Sequence, residues 1–324
     1  MRVEERPDPQ PKSGQVTVRV KAAGLNFADI LARQGLYPDG PPKPCVMGYE
    51  VSGTIESVGP GIDPDLAGRP VIAMTRFGGQ AELVAVSFAQ TFDKPDSLTF
   101  EEAAAIPVNY LTAWALLVTM GGLKKDEAVL IHNAGGGVGL AALDIAKHIG
   151  ARTFGTASAG KHEFLRARGL DHPIDYREQD WLPVLMSLTD NSGVELIIDP
   201  LGGPNWKKSY RALRPTGRMG VFGMSVASAS GITGKVRALK AILAMPRFNP
   251  IGLMNRNKGV FGLNLGHMWG EGEKIAGWTR EIMTGVAEGW IKPHVDRAFP
   301  FDQIQEAHTY IESRRNTGKV VLVP

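Results

Sequence analysis

The chain has 324 residues, 43% of them apolar and 21% charged, and carries a formal net charge of +3. That length calls for two cores rather than one, the composition is ordinary for a globular enzyme, and the small charge excess excludes a nucleic-acid binder that works by charge alone. A single cysteine, Cys45, excludes an internal disulfide and a cysteine-rich zinc lobe. No apolar run reaches the roughly eighteen residues of a membrane span, and a start reading Met1-Arg2-Val3-Glu4-Glu5-Arg6 is neither a signal nor a transit peptide, so a cytoplasmic location is expected.

The first hundred or so residues read as a β-rich module with little helix. Short strands are predicted at 16–20, 51–55, 69–73 and 81–86, separated by Gly and Pro turns such as those around Pro38, Gly40 and Pro60. The pattern turns helical at 101–105 and 111–117. Strands then alternate with helices at 127–132, 151–156, 194–199, 218–222 and 258–263, which predicts a parallel, doubly wound α/β sheet covered on both faces. A long helix follows at 271–288, then Phe299-Pro300-Phe301, a helix over 302–314, and a last strand whose composition matches the first module. The C-terminus is therefore expected to return to that module, leaving the nucleotide fold as an insertion.

Within the alternating region, one stretch stands out. A strand ending at Ile131-His132 runs into Asn133-Ala134-Gly135-Gly136-Gly137-Val138-Gly139, and a helix pattern follows that Gly150 closes. Aligned with G-x-G-x-x-G, Gly136 and Gly139 are the second and third glycines, and Ala134 replaces the first. Small residues let main-chain N–H groups at a helix N-terminus approach a pyrophosphate, so 134–139 is the candidate cradle of a dinucleotide. About twenty residues on, an NAD site places an acid for the ribose hydroxyl. This chain has Ser158 and Lys161, which attract a 2′-phosphate, with Tyr176 in reach after the next apolar stretch. NADPH is favoured over NADH. The plainer alternative makes Lys161 a solvated lysine at a helix start and Tyr176 a packing residue. Leu201, Gly223 and Met224 follow the ends of later strands, where ligands of such sheets bind, and are added to the coenzyme candidates.

Ala23-Gly24-Leu25-Asn26-Phe27-Ala28-Asp29, Arg33-Gln34-Gly35-Leu36-Tyr37, Gly48-Tyr49-Glu50 and Pro107-Val108-Asn109-Tyr110-Leu111-Thr112 resemble the zinc-independent quinone oxidoreductases of the medium-chain dehydrogenase/reductase superfamily. Asp199-Pro200-Leu201-Gly202-Gly203, Phe261-Gly262-Leu263-Asn264 and Gly289-Trp290-Ile291 resemble that family's vesicle amine transport protein group. The resemblance implies a GroES-like substrate domain over 1–107 and 266–324, an inserted Rossmann domain over 108–265, NADPH as coenzyme and a homodimer. It also implies hydride transfer to a quinone or an α,β-unsaturated carbonyl. The zinc enzymes of the superfamily place Gly-His-Glu where this chain has Gly48-Tyr49-Glu50, and a cysteine near Asn26, so no catalytic zinc is expected. Family members also begin with a hairpin ahead of Glu4-Glu5-Arg6-Pro7; this chain either starts late or lacks an edge strand.

On this resemblance Tyr37 and Asn26 are the candidates for polarising an acceptor oxygen, with Asn109 a second amide donor near the nicotinamide. Thr112 is placed by the nicotinamide ribose or phosphate, and Phe261, Gly262 and Leu263 present backbone groups to the carboxamide. Asn316 closes the site from the C-terminal segment. Tyr37 can equally pack a turn, and Asn26 can cap a bend. The seven histidines (132, 148, 162, 172, 267, 294, 308) form no cluster by spacing, and no Ser-His-Asp arrangement is suggested.

A rival of another class rests on 231–258, where Lys235, Arg237, Lys240, Arg247, Arg256 and Lys258 interleave with Leu239, Ile242, Leu243, Ile251 and Met254. Such mixing marks a membrane-surface or partner-binding segment, here on a lipid- or protein-interaction module with a vestigial NADPH site. Pro246 and Pro250 interrupt any long amphipathic helix, and a flap or dimer contact is the alternative.

Overall fold

The computed structural model describes residues 1–37, 40–227, 236 and 239–324. Lys235 and Arg237 of the basic-apolar stretch lie outside the described residues. The chain divides into two compact units, Met1–Leu111 with Leu265–Pro324, and Thr112–Asn264.

In the first unit, β1 (Gln15–Leu25) is the hub of a seven-stranded sheet. It pairs antiparallel with β2 (Glu50–Val58), which pairs with β3 (Pro70–Met74). It also pairs with β4 (Leu83–Ser87), while β5 (Thr91–Asp93) lies beyond β3. After β5 come α2 (Phe100–Ala104) and α3 (Pro107–Trp114). Alternation along β1 sends Val16, Val18 and Val20 into a core with Ile55, Val71 and Phe299. The C-terminal segment contributes α9 (Gly272–Ala287), β12 (Val295–Pro300), α10 (Ile304–Glu312) and β13 (Lys319–Val323). Strand β13 joins β1 antiparallel, with Ala23 opposite Leu322.

One helix of this unit was not expected. The module read as nearly helix-free contains α1 (Phe27–Gln34), whose ends carry standard stop and start chemistry. Asn26 precedes it in an extended conformation, Asp29 reaches back to accept the Asn26 N–H at 2.8 Å, and Gly35 closes it at φ 73°.

The second unit holds a six-stranded parallel sheet. Its strands are β6 (Ala128–Ile131), β7 (Arg152–Ala157), β8 (His172–Asp175), β9 (Val194–Asp199), β10 (Leu213–Val221) and β11 (Gly259–Gly262). Between them run α4 (Gly137–Ile149), α5 (His162–Ala167), α6 (Trp181–Leu188), α7 (Asn205–Ala212) and α8 (Pro250–Arg256). The spatial order β11-β10-β9-β6-β7-β8 is the doubly wound arrangement, with its reversal between β6 and β9. All four residues of β6 are buried, as a strand covered on both faces requires. Strand β8 was not among the predicted strands; it is four residues long and contains Pro173. No helix among the described residues is long and apolar enough to cross a membrane.

Candidate functional site

The turn from β6 into α4 sits at the carboxyl edge of the parallel sheet, beside the strand-order reversal. Asn133 takes a left-handed φ of 55°, and Gly136 caps α4 in an extended conformation. The first N–H groups of a helix have no intrahelical acceptor, so those of Gly137, Val138 and Gly139 are available to an anion. The glycines are needed for distinct reasons. A Cβ at Gly139 would stand 2.5 Å from the Ala134 carbonyl oxygen, so this residue brings the helix against the strand turn. A Cβ at Gly136 would meet the Asn133 side chain at 2.5 Å, and one at Gly135 would stand 2.8 Å from Lys161 Cδ. Lys161 therefore lays its stem along the turn.

Ala134, in place of the first glycine, is wholly buried, and its methyl is accommodated from across the sheet. Gly155 on β7 leaves the room: a Cβ there would lie 2.8 Å from that of Ala134.

The second unit gathers most of the coenzyme candidates along this edge. Ala157 pairs with Asp175, so Ser158 and Tyr176 leave adjacent parallel strands at one level. Asp175 is the nearby carboxylate, and its two oxygens accept the N–H groups of Ala159 (3.3 Å) and Arg177 (2.9 Å). Leu201 follows β9 and donates its N–H to Asp199 Oδ1 at 2.7 Å. Gly223 and Met224 follow β10, where the Ser225 N–H binds the Pro200 carbonyl at 2.9 Å and ties the two loops. Phe261 and Gly262 end β11, and the Leu263 N–H binds the Val221 carbonyl at 2.9 Å. Thr112 is buried in α3 at the start of this unit. Asn316 belongs to the first unit, where its Nδ2 donates to the Gly318 carbonyl at 2.8 Å.

The three residues proposed to act on an acceptor lie in the first unit. Asn26 is buried, and its amide already has partners: Nδ2 donates to Glu50 Oε1 at 2.9 Å and Oδ1 accepts from Lys319 Nζ at 2.7 Å. Lys319 Nζ also pairs with Glu50 Oε1, and Glu50 Oε2 accepts the Val108 N–H at 2.7 Å. Both amide atoms of Asn26 are thus tied into this network. Asn109 donates Nδ2 back to the Ala105 carbonyl at 3.0 Å. Tyr37 stands edge-on to Tyr49 at 6.3 Å between ring centroids, and Tyr49 packs on Phe77 at 5.1 Å.

Zinc does not fit this pocket of charge. Where the zinc enzymes carry histidine, this chain has Tyr49, and an ammonium group is already bonded to the neighbouring Glu50 carboxylate. Among the described residues no three His, Cys, Asp or Glu side chains converge as a metal site.

Sequence reasoning missed both buried polar clusters: Lys319 with Glu50, and a second one under the glycine turn. In the latter His132, with 1% exposure, meets Thr156 and Ser209, and Ser209 meets Asp199. The partners of His132 lie 24 and 77 positions away. The acid at the end of the strand over 194–199 was the one local signal.

A unit built on a seven-stranded β-sheet with a few helices, joined in the chain to a doubly wound unit with a glycine turn, is the architecture of the medium-chain dehydrogenases and reductases. Residues 12–96 match the family described as alcohol dehydrogenase GroES-like domain, and residues 168–322 match zinc-binding dehydrogenase. The human synaptic vesicle membrane protein VAT-1 homolog is 40% identical over 332 residues, covering 100% of this chain and 83% of that protein. Among solved structures, Escherichia coli quinone oxidoreductase complexed with NADPH is 30% identical with a TM-score of 0.86, covering 99% of this chain and 95% of that one. CurK enoyl reductase is 28% identical with a TM-score of 0.84, covering 99% and 94%. The chain belongs to the medium-chain dehydrogenase/reductase superfamily, among the VAT-1 homologues, and is an oxidoreductase of that type.

Proposed function

We propose that this protein is an NADPH-dependent reductase that delivers hydride, without zinc, to a quinone or an α,β-unsaturated carbonyl. The observation that carries the reading is the carboxyl edge of the parallel sheet. There the glycine turn opens α4, Lys161 lies along Gly135, and Ser158 and Tyr176 end neighbouring strands, while Asp175 is turned to backbone N–H groups. Hydroxyls and an ammonium group suit a 2′-phosphate, which a free carboxylate would repel.

Bound NADPH would supply the hydride. The chain's own part is to hold the pyrophosphate on the α4 N-terminus, orient the nicotinamide, and polarise the acceptor oxygen. Thr112, Phe261, Gly262, Leu263 and Asn316 are assigned to the nicotinamide end, and Leu201, Gly223 and Met224 to the loops lining the coenzyme. Tyr37 is the assigned hydroxyl donor, with Asn26 and Asn109 as amide donors. A quinone's electron affinity reduces its need for a strong general acid. Similarity to a quinone oxidoreductase and to an enoyl reductase supports a quinone or enoyl acceptor. The family resemblance supports a homodimer, which sedimentation of the purified protein tests.

The test is Lys161→Ala. Loss of a charge-assisted contact of about 1.5–3 kcal/mol predicts at least roughly tenfold weaker NADPH binding with NADH little changed. An unaltered NADPH-to-NADH affinity ratio overturns the phosphate assignment. NADPH oxidation across a panel of quinones and enals then sorts the acceptors, and no turnover with any of them overturns the reductase reading.

A second reading, a membrane-surface role beside a nucleotide site, is favoured by one observation. Leu243, Ile251 and Met254 are 77%, 67% and 70% exposed, near in sequence to Lys240, Arg247 and Arg256. Binding to anionic vesicles that falls when Lys240 and Arg247 are neutralised supports it; equal binding removes it.

A further inference from the structure

Five elements of the second unit meet at one imidazole. His132 directly follows β6. Its Nδ1 lies 3.0 Å from Thr156 Oγ1 on β7, and its Nε2 lies 3.1 Å from Ser209 Oγ on α7. Trp181 of α6 stands edge-on to the ring at 4.6 Å. Ser209 donates its hydrogen to Oδ2 of Asp199, the last residue of β9, at 2.7 Å. Asn205 Nδ2 donates to the same oxygen at 2.8 Å, and Asn205 Oδ1 accepts the Trp181 Nε1–H at 3.0 Å.

The shortest contacts set the bond directions, and the second Nδ2 hydrogen of Asn205, 3.5 Å from His132 Nε2, goes to Ser209 Oγ at 3.4 Å. A serine hydroxyl has one hydrogen, and that of Ser209 goes to the carboxylate, where a charge-assisted bond is strongest. Toward His132, Ser209 can then only accept, so Nε2 carries the ring proton and Nδ1 is bare. A bare Nδ1 takes the hydrogen of Thr156 Oγ1. Thr156 Oγ1, having donated, faces the Asn133 N–H at 3.3 Å as an acceptor, and the Thr156 carbonyl accepts the Ala134 N–H at 3.0 Å. Burial lowers the affinity of His132 for a second proton, and the Asp199 charge opposes this less strongly, so the neutral ring persists.

The chain therefore runs from a carboxylate, through a serine, a histidine and a threonine, to the two residues that open the glycine turn. Asn133 is held there in its left-handed conformation. We propose that His132, as the neutral Nε2–H tautomer, is a positioning residue of the coenzyme site, which sets through Thr156 the orientation of the turn that receives the pyrophosphate. It touches no coenzyme atom. The proposal rests on the nucleotide-binding reading given above, and it adds a determinant outside the glycine motif.

Three variants and one spectrum test it in the full-length protein. Thr156→Val keeps shape and removes the hydroxyl; it should weaken NADPH and NADH alike, by roughly tenfold, leaving their ratio unchanged. His132→Gln places an amide toward Ser209 and loses the acceptor at Thr156, so it should weaken binding similarly. His132→Asn can keep an acceptor at the Nδ1 position and should restore much of the affinity. Nitrogen NMR of the labelled protein should show His132 neutral with the proton on Nε2 from pH 5 to 8 (a range chosen about its ordinary value). The Nδ1–H tautomer, or variants that lower the melting temperature while binding both coenzymes as wild type does, would overturn the proposal alone. A wild-type protein that binds neither coenzyme would overturn the site reading and this proposal with it.

Discussion

Each unit buries a polar cluster next to the residues assigned to function, and the two clusters are built differently. In the first unit an ion pair stands at the centre: Lys319 is 3% exposed, Glu50 is fully buried, and Asn26 bridges the ammonium and carboxylate groups. In the second, one carboxylate, Asp199, is surrounded by neutral dipoles from Ser209, Asn205 and the Leu201 N–H. A buried ion pair persists because each charge compensates the other, so it tolerates removal of both and not of one. A network of dipoles weakens stepwise, one bond of about 1 kcal/mol at a time, with a further cost for any group left unpaired.

The largest expected effect follows from that difference. Lys319→Met leaves the Glu50 carboxylate buried without its cation and should cost about 3–5 kcal/mol in denaturant unfolding. Adding Glu50→Gln to it removes the orphaned charge while keeping an acceptor for the Val108 N–H, and should recover a large part of the loss. If the two substitutions add, the clusters do not differ in the way described. Ser209→Ala in the second unit should cost only about 1–3 kcal/mol.

Glycines give a second, graded comparison. At Gly139 the obstacle to a Cβ is main chain, the Ala134 carbonyl oxygen at 2.5 Å; at Gly135 it is the flexible stem of Lys161 at 2.8 Å; at Gly160 nothing lies within 4 Å. Gly139→Ala should therefore lose coenzyme binding and about 1–3 kcal/mol of stability. Gly135→Ala should displace Lys161 and weaken NADPH more than NADH. Gly160→Ala should change unfolding by less than about 0.5 kcal/mol. Binding titrations of the three variants check the order.

What could be read from the chain before folding follows the reach of each interaction. The β6-turn-α4 stretch was legible because strand, glycines and helix are contiguous, and the parallel order follows from alternation along the chain. The helix α1 left a signal that was passed over: Asn26 ahead of it, Asp29 three residues on, and Gly35 at its end. Other features leave no local trace. Lys319 meets Asn26 and Glu50 from 293 and 269 positions away, so neither the occupied Asn26 amide nor the internal ammonium could be anticipated from spacing. Ala134 looked like a departure from the glycine motif, and only the sheet shows Gly155 making room for it.

A last comparison sets two buried titratable groups of the first unit against each other. His308 on α10 is fully buried, and neither ring nitrogen has a hydrogen-bond partner among the described residues. Burial first, then the charges of Arg33 and the N-terminus, push it from 6.5 down to about 3. The unfolded chain takes up this proton below 6.5 and the folded one does not, so its contribution to stability is full above 6.5 and falls as pH drops toward 3. Asp29 behaves oppositely. Burial raises it from 3.8 to about 7 against the hydrogen bonds from Asn26 and Gly48, so its contribution is full below 3.8 and is lost as pH rises through 7. Between pH 4 and 6.5 the two slopes oppose, and wild-type stability should be nearly level there. His308→Leu should expose the Asp29 slope, with stability falling as pH rises, and Asp29→Asn should expose the His308 slope, with stability rising. Unfolding midpoints of the two variants measured across that window should diverge in opposite directions from the wild type, and parallel curves would show that neither group titrates as its surroundings dictate.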